Sequence, residues 1–318
     1  MLSRAPDRKW PPAILLMGPT CSGKTGVALE LVQHLPCEII SVDSAQIYRH
    51  MDIGTAKPDA ATLNRAPHHL ISIIDPTERY SAAQFRADAL RLMAEISARN
   101  RVPLLVGGTM LYFQTLRDGL SELPQADPAI RAVIDSMAQG AGWPAVHAEL
   151  SRIDPVTAAR LEPTDSQRIQ RALEIFYLTG QPMSQILLQS EIAALPYRAI
   201  SIALIPGERA VLHQLISERF NRMLMAGLVE ETKWLRANYA LQDSMPSMRC
   251  VGYRQVWQYL EGDFGYHELP AKGTAATRQL AKRQMTWLRS MQDVESFDCF
   301  AANLPQKVLA HIEQMLTN

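Results

Sequence analysis

The chain has little of what would place it in several common classes. It has 4 cysteines in 318 residues, and Cys21, Cys37, Cys250 and Cys299 stand far apart with no C-x-x-C pair. That spacing argues against a zinc module or a disulfide scaffold and fits a reducing compartment. It has no excess of either charge: 32 Lys and Arg balance 32 Asp and Glu. A protein that coats nucleic acid through bulk charge is therefore excluded, while a local basic cleft is not. No apolar run approaches the ~20 residues of a membrane span. The polar segment Met1–Pro12 is followed by an apolar run too short for a signal peptide. A cytoplasmic protein without membrane attachment is expected, with Met1–Pro12 as a loose arm. There is no internal repeat and no low-complexity tract. What remains is a chain that is 47% hydrophobic, enough for a real core in one large domain or two modest ones.

The most informative stretch is Gly18-Pro19-Thr20-Cys21-Ser22-Gly23-Lys24-Thr25. It reads G-x-x-x-x-G-K-T, follows the apolar run Ala13–Met17, and precedes a helical pattern from Val27 to Val32. Strand, glycine loop and helix together are the context of a phosphate-binding P-loop. The glycines let backbone N–H groups turn inward around a polyphosphate, and the helix N-terminus adds partial positive charge. Lys24 is expected to reach the terminal phosphates and the Thr25 hydroxyl to hold Mg²⁺. The motif says that adjacent phosphates are bound, not what carries them.

Around this loop the sequence alternates. Cys37–Val42 and Leu70–Ile74 read as strands, Ser81–Asn100 as a helix with Ser81 at its N-cap, and Val102–Val106 as a buried strand broken by Gly107-Gly108. Such alternation predicts an α/β fold, a P-loop NTPase-like parallel sheet flanked by helices. Ligands of such sheets bind at the carboxyl ends of the strands, which is where Thr20, Asp43 and Thr109 fall. From about Gln125 to Leu195 only helical signals occur, with starts at Asp127-Pro128 and Asp154-Pro155 and a stop at Gly180. The division expected is a first core segment over 12–124, an all-helical insertion over 125–195, and a second core segment over 196–318. In that last segment Ala199–Ile205 and Val294–Phe297 read as strands. Glu208–Ala226, Leu228–Ala237, Met248–Leu260 and Thr274–Ser290 read as helices, and one more helix ends the chain.

Other residues carry candidate chemistry, each beside a plainer reading. Asp43, directly after the second strand in Asp43-Ser44-Ala45-Gln46, reads equally as a carboxylate that accepts a proton or helps hold metal beside bound phosphate and as an N-cap for the next turn. Asp52–Pro58 reads by default as a surface loop. His68 and His69 point to opposite faces of a strand and form no metal site. Thr109 offers a hydroxyl after Gly107-Gly108, in what is otherwise a strand-to-helix turn. No Asp ends that strand, where a P-loop ATPase often carries its Mg²⁺-binding acid. Gln167-Arg168-Ile169-Gln170-Arg171 lies on a helix whose apolar face is Ile169, Ala172, Leu173 and Phe176, so the Gln and Arg side chains project outward. Solvation is the default role of such a face. Arg249-Cys250-Val251-Gly252-Tyr253-Arg254 combines two guanidiniums with a tyrosine able to stack on a base. Leu269–Gln292 carries Lys272, Arg278, Lys282, Arg283 and Arg289 and no acid, a concentration of cations that points to an anion. Arg219 alone is a helix arginine, though P-loop enzymes often recruit a remote arginine to phosphate charge.

Taken in order, these segments resemble one family, the bacterial tRNA dimethylallyltransferases, also called tRNA isopentenyltransferases. The resemblance spans about residues 12 to 300. It rests on Gly18–Thr25, Asp43–Tyr48, Met51–Pro58, Pro67-His68-His69-Leu70, Tyr80-Ser81 with Phe85, and Val106–Thr109. It continues through Gln167–Arg171, Arg249–Arg254, Lys282-Arg283-Gln284 and Thr286–Arg289. The resemblance implies transfer of a dimethylallyl group from dimethylallyl diphosphate to N6 of adenosine 37, beside the anticodon. It implies that the loop Gly18–Thr25 grips the donor's diphosphate with Mg²⁺ at Thr25, not ATP, in keeping with the missing acid after Val106. By position, Lys24 and Arg219 are expected to stabilise departing pyrophosphate, Thr109 to line the same channel, and Asp43 to accept the N6 proton. The adenosine is expected to flip from its stack. Asp43–Gln46, Thr109, Gln167–Arg171 and Arg249–Arg254 correspond to tRNA-contacting segments, and Arg131 on the first inserted helix joins them. The partners implied are the tRNA anticodon stem-loop and dimethylallyl diphosphate, with the enzyme a monomer.

Cys21 departs from the small Ala or Gly expected at its position. It reads either as an inert small residue or, at a helix N-terminus beside Lys24, as an oxidation-sensitive thiol. Three rival functions remain: an isopentenyltransferase acting on free AMP, ADP or ATP, a small-molecule kinase, and a non-catalytic RNA-binding NTPase. The helical insertion and Gln167–Arg171 speak against the first, since a free nucleotide needs no such platform.

Overall fold

A strand buried on both faces of a parallel sheet has no polar side to alternate, so it reads as a continuous apolar run. The runs around the P-loop behave this way in the computed structural model, which describes residues 10–121, 123–189 and 193–317. The N-terminal arm lies outside the described residues through residue 9. In chain order, β1 (Pro12–Met17), α1 (Lys24–His34) and β2 (Cys37–Val42) are followed by α2 (Ala60–Arg65), β3 (His68–His69), α3 (Ala82–Ala98), β4 (Val102–Gly107) and α4 (Met110–Asp118). A helical stretch follows: α5 (Pro128–Ala141), α6 (Trp143–Ile153), α7 (Pro155–Ala158), α8 (Ser166–Thr179) and α9 (Met183–Gln189). The chain then returns to β5 (Arg198–Ile205), α10 (Arg209–Met225), α11 (Leu228–Asn238), α12 (Tyr253–Glu261), α13 (Leu269–Ser290), β6 (Glu295–Asp298) and α14 (Leu304–Thr317).

Two compact units result. One comprises Met1–Arg117 with Leu195–Asn318, the other Asp118–Ala194. The first is built on a six-stranded parallel sheet in the order β3-β2-β4-β1-β5-β6. Alternate residues of β1 feed its two faces. Ala13, Leu15 and Met17 pack with the apolar stripes of α3 and α4, while Ile14 and Leu16 pack with α1 and α14. The stripe of α3 is Phe85, Ala89, Leu92, Met93 and Ile96, and Ser81 closes a capping box with Gln84. A third cluster gathers Phe220 and Leu224 of α10, Leu228 and Leu235 of α11, and Tyr253 and Val256 of α12 around Ile47, Tyr48 and Met51.

Two sequence expectations fail here for local reasons. Leu70–Ile74 is not a strand: the residues paired with β2 are His68 and His69, and Ile74 makes only an isolated bridge to Tyr48. Leu70 and Ser72 adopt φ of 63° and 54°, left-handed conformations that end an extended run. The segment is held instead by donation from the Ser72 and Ile73 amides to the carbonyls of Gln46 and Ile47. The helix expected from Met248 begins only at Tyr253, because Gly252 turns the chain at φ 96°. In the other direction, α13 begins at Leu269 rather than Thr274, with a proline in its first turn.

The helical unit has its own core of Ile134, Val146, Leu150, Ala158, Ile169, Ala172 and Leu173. Asp127, Asp154 and Asp165 cap α5, α7 and α8 through side-chain acceptance of backbone N–H groups. Glu174 is fully buried and takes Arg131 at 2.8 Å, Arg171 at 2.6 Å and the Asp127 amide at 2.9 Å. Burial alone would raise its pKa, but the two guanidiniums and the amide outweigh that and hold it below the usual carboxylate range.

Gly273 lies inside α13 against the ring of Phe220, whose nearest atom is 1.9 Å from where a Cβ would stand. Alanine in a helix interior is ordinarily favoured over glycine by about 1 kcal/mol. Here the sign reverses: Gly273→Ala is expected to destabilise the protein by about 1–3 kcal/mol through overpacking, read as a lower urea midpoint at unchanged m-value.

Candidate functional site

Parallel pairing places Met17 beside Gly107 and Gly107 beside Val42. The three segments that follow these residues, Gly18–Lys24, Asp43–Gln46 and Gly108-Thr109, therefore leave the sheet side by side. Thr20–Thr25, Asp43–Gln46 and Gly108-Thr109 line one cavity of about 870 Å³, completed by Leu215, Ile216, Arg219, Phe220 and Met223 of α10, by Arg249–Val251, and by Leu280, Arg283, Gln284 and Trp287 of α13.

The P-loop closes onto α1 through Gly23, which caps the helix at φ 77°, a conformation that glycine adopts without a Cβ penalty. Cys21 stands at φ 63° in the same strained region, which explains why a small residue is expected there. Lys24 donates to the carbonyls of Gly18 at 2.9 Å and Pro19 at 2.6 Å. Burial is the main influence on its ammonium and lowers the pKa to about 8; Arg219 adds to the fall, while Asp43 opposes it. Arg219 reaches from α10 to the Thr20 hydroxyl at 3.3 Å and the Cys21 thiol at 3.7 Å. Ser22 is 1% exposed, and its hydroxyl has no hydrogen-bond partner among the described residues. An orphaned hydroxyl, a desolvated cation and the Arg219 guanidinium in one wall form a cradle for a polyanion. Thr25 is exposed on the first turn of α1.

Asp43 caps the turn that follows it and also lines the cavity. Its Oδ1 accepts from the Ala45 amide at 2.8 Å and the Gln46 amide at 3.3 Å. Its Oδ2 takes no hydrogen bond from the described residues, and the residue lines the cavity. Capping thus fixes the carboxylate while leaving one oxygen able to accept a proton. Thr109 accepts from the Ser44 amide at 3.0 Å and donates to the Ser44 hydroxyl at 3.3 Å, tying the β4 end to the loop after β2.

Several expected contacts take a different form. Tyr253 cannot stack on a base: it is 0% exposed, in the third core cluster, and its hydroxyl donates to Glu231 at 2.5 Å. Gly252 is buried beside it, whereas Arg249, Cys250 and Val251 line the cavity and Arg254 is exposed. Within the helical unit, Ile169 is a core residue. Gln170 donates to Asp135 at 2.7 Å, Arg131 and Arg171 are held by Glu174, and Gln167 and Arg168 are exposed. Asp52–Pro58 is no free surface loop. Gly54, Thr55 and Ala56 line the cavity, and the Lys57 side chain is 5% exposed, donating to the Tyr48 carbonyl, Asp52 and the Ser72 hydroxyl.

Gln284 received no role from the sequence. It accepts from the Thr20 amide at 2.9 Å and donates to the Gly108 carbonyl at 2.8 Å, joining the P-loop to the end of β4. The signal was the spacing Thr277, Leu280, Gln284, Trp287, one face of α13 set off from its cationic face. Among the described residues no group of three or more His, Cys, Asp or Glu could hold a metal ion, and no helix is long and apolar enough to cross a membrane.

Inorganic pyrophosphate probes this cradle directly. Lys24 is cationic below about pH 8 and neutral above it, so affinity is expected to fall as pH rises through 8 and proton uptake to accompany binding there. Titration calorimetry in buffers of different ionisation enthalpy measures both; an affinity flat from pH 7 to pH 9.5 contradicts the expectation.

The family model described as IPP transferase matches residues 46–291, and one described as isopentenyl transferase matches residues 12–72. The chain is 56% identical over 309 residues to a tRNA dimethylallyltransferase of Nitrosomonas eutropha, covering 97% of this chain and 98% of that one. It is 58% identical over 303 residues to the corresponding protein of Nitrosospira multiformis, covering 95% and 94%. Among solved structures, the tRNA isopentenylpyrophosphate transferase of Bacillus halodurans matches with a TM-score of 0.71 at 35% identity, over 96% of this chain and 97% of that one. A eukaryotic dimethylallyltransferase acting on tRNA matches with a TM-score of 0.83 at 25% identity, over 97% and 80%. A parallel sheet with a P-loop, a helical unit set into it, and these similarities along almost its whole length make the chain a member of the IPP transferase family.

Proposed function

We propose that the chain transfers a dimethylallyl group from dimethylallyl diphosphate to N6 of adenosine 37 in tRNA, releasing diphosphate. The observation that carries this reading is one cavity with a polyanion cradle, a half-free carboxylate and an apolar wall. A kinase would want its γ-phosphate metal acid after β4, where this chain has Gly108 and Thr109. The wall of Leu215, Ile216, Phe220, Met223 and Leu280 suits a five-carbon allylic chain and keeps water from an electrophile that hydrolysis would waste.

In this reading the N6 lone pair forms a bond to the allylic carbon as the carbon–oxygen bond to diphosphate breaks. Charge grows on the leaving oxygens, where the loop amides, Lys24 and Arg219 neutralise it without reorganisation. Oδ2 of Asp43 takes the N6 proton. An exocyclic amine is a weak nucleophile because its lone pair is delocalised into the ring, and a hydrogen bond to a fixed carboxylate offsets part of that. Magnesium would fit as a partner of the diphosphate itself, with the Thr25 hydroxyl the protein oxygen that would hold it, since this ion needs few protein ligands. When bound it supplies further charge neutralisation to the leaving group.

The tRNA is proposed to meet Arg249–Val251 and Arg254 in the sheet-based unit, and Gln167, Arg168 and Gln170 in the helical unit. Arg131 and Arg171 contribute there as residues anchored by Glu174. The basic face of α13, with Arg278, Lys282 and Arg289, is added as a phosphate-contacting surface. The enzyme is proposed to work as a cytoplasmic monomer.

Purified protein incubated with dimethylallyl diphosphate, Mg²⁺ and unmodified tRNA should yield N6-isopentenyladenosine by nucleoside mass spectrometry. Asp43→Ala is expected to lower kcat by roughly 10²–10⁴-fold, and Lys24→Ala by roughly 10²–10³-fold, both with tRNA binding retained. Alkylated AMP without alkylated tRNA would favour a free-nucleotide enzyme, and unchanged rates in both variants would remove the assigned roles.

A further inference from the structure

Glu231 sits in the first turn of α11, where an acid is ordinarily explained by the helix dipole. Its hydrogen bonds indicate another task. Oε2 accepts from the amides of Asp52 at 3.1 Å and Ile53 at 2.9 Å, and Oε1 from the amide of Gly54 at 3.4 Å. Oε1 also accepts the Tyr253 hydroxyl at 2.5 Å, which in turn accepts from the Gly54 amide at 3.2 Å. Three consecutive backbone N–H groups turned to one side form an anion nest, and here the anion is a side chain of the protein itself. Without it, three N–H groups turned to one side would lose their shared acceptor.

The clamped loop leads to the chemistry. Gly54, Thr55 and Ala56 line the cavity. The carbonyls of Thr55 and Ala56 accept from the Gln46 side chain at 3.3 and 3.4 Å, and the Gln46 amide is one of the two donors that fix Oδ1 of Asp43. A chain of contacts thus runs from Glu231 through the loop and Gln46 to the carboxylate. The packing leaves no slack at its centre, since a Cβ on Gly54 would stand 2.5 Å from the Tyr253 ring. The P-loop is held separately, by Gln284 and Arg219.

We propose that Glu231, braced by Tyr253, is a positioning residue for the transfer reaction: it holds the Asp52–Ala56 loop in place and so sets the aim of Asp43 on the acceptor side, independently of the donor's grip. This rests on the transfer function proposed above. The requirement is for a carboxylate rather than for volume, because the amide of a glutamine would turn an NH₂ group toward backbone donors.

The experiment compares full-length wild type, Glu231→Gln and Tyr253→Phe, with the folded fraction measured by thermal melting and rates expressed per folded molecule. Glu231→Gln is expected to lower kcat with tRNA by about tenfold or more, since a misaligned group loses rate steeply with displacement. Tyr253→Phe is expected to lower it by about threefold, having lost one hydrogen bond of the brace. In both, the KM for dimethylallyl diphosphate should stay within about twofold, as loss of a purely transition-state contact requires. Lower melting temperatures with wild-type kcat per folded molecule would make the clamp merely structural and overturn the proposal, as would a donor KM rising in step with the loss of rate. If Glu231→Gln does not fold, Tyr253→Phe decides by the same two readings, its ring still filling the core. A wild type that alkylates no tRNA would remove the transfer reading and this inference together, which the control separates from failure of the inference alone.

Discussion

The site depends on the register of three parallel strands. Met17, Gly107 and Val42 end level with one another, so the P-loop, the Asp43 turn and the Gly108-Thr109 turn emerge at one edge within hydrogen-bonding reach. A slip of one residue would turn every side chain of a strand to the other face. It would exchange Leu15 and Met17, packed on α3 and α4, for Ile14 and Leu16, packed on α1 and α14. The hydrophobic cores on both faces therefore hold the polar site in alignment. That is why Thr109 can bond Ser44 across 65 residues of sequence, and Gln284 can bond Thr20 across 264.

Within that frame the P-loop carries its own strain. Among the described residues Lys24 is hydrogen-bonded only to loop carbonyls, and it is desolvated enough to bring its pKa to about 8. The Ser22 hydroxyl has no partner among the described residues, and Cys21 occupies a conformation that disfavours any side chain. Each is a local cost that a bound polyanion relieves or that fixes the loop for one. The sheet and helices beneath supply the stability against which such costs are carried. A wall whose groups already point where charge will develop needs little rearrangement when a diphosphate leaves.

What could be read from the sequence divides along physical lines. Long apolar runs and the G-x-x-x-x-G-K-T pattern are local signals, and β1, β2, β4, β5 and α3 follow from them. Leu70–Ile74 misleads because its composition is strand-like while two of its residues take left-handed backbone. A sequence of apolar residues does not display that. Tyr253 misleads because flanking arginines suggest a nucleic-acid surface, yet its ring faces the third core cluster and its hydroxyl belongs to Glu231. The Asp52–Pro58 loop looks solvent-exposed by composition, and the partners that order it against the cavity, among them the carboxylate 177 residues away in sequence from Gly54, do not show in its own residues. Gln284 and the α10 wall received no role from the sequence for the same reason: their partners lie in other elements, and periodicity reports the face of a helix but not what that face meets.

In the proposed transfer reaction, the charge along the cavity suits a departing anion at one end and a departing proton at the other. Lys24 and Arg219 stand at the P-loop, and Asp43 stands on the neighbouring loop, close enough that its charge opposes the desolvation of Lys24. Where a nucleotide-hydrolysing relative of this loop would place a second acid for metal, the end of β4 offers a carbonyl already committed to Gln284. A neutral amide at that point leaves the positive field of the loop undiluted and holds the two turns together without adding a competing base. Among the described residues that line the cavity Asp43 is the one carboxylate, so in the proposed reaction the proton has one place to go, and the apolar side chains of α10 would deny water the position from which it could take the allylic group instead. On that reading, selectivity for transfer over hydrolysis would follow from one acid, two cations and a dry wall, all set by the level strand ends beneath them.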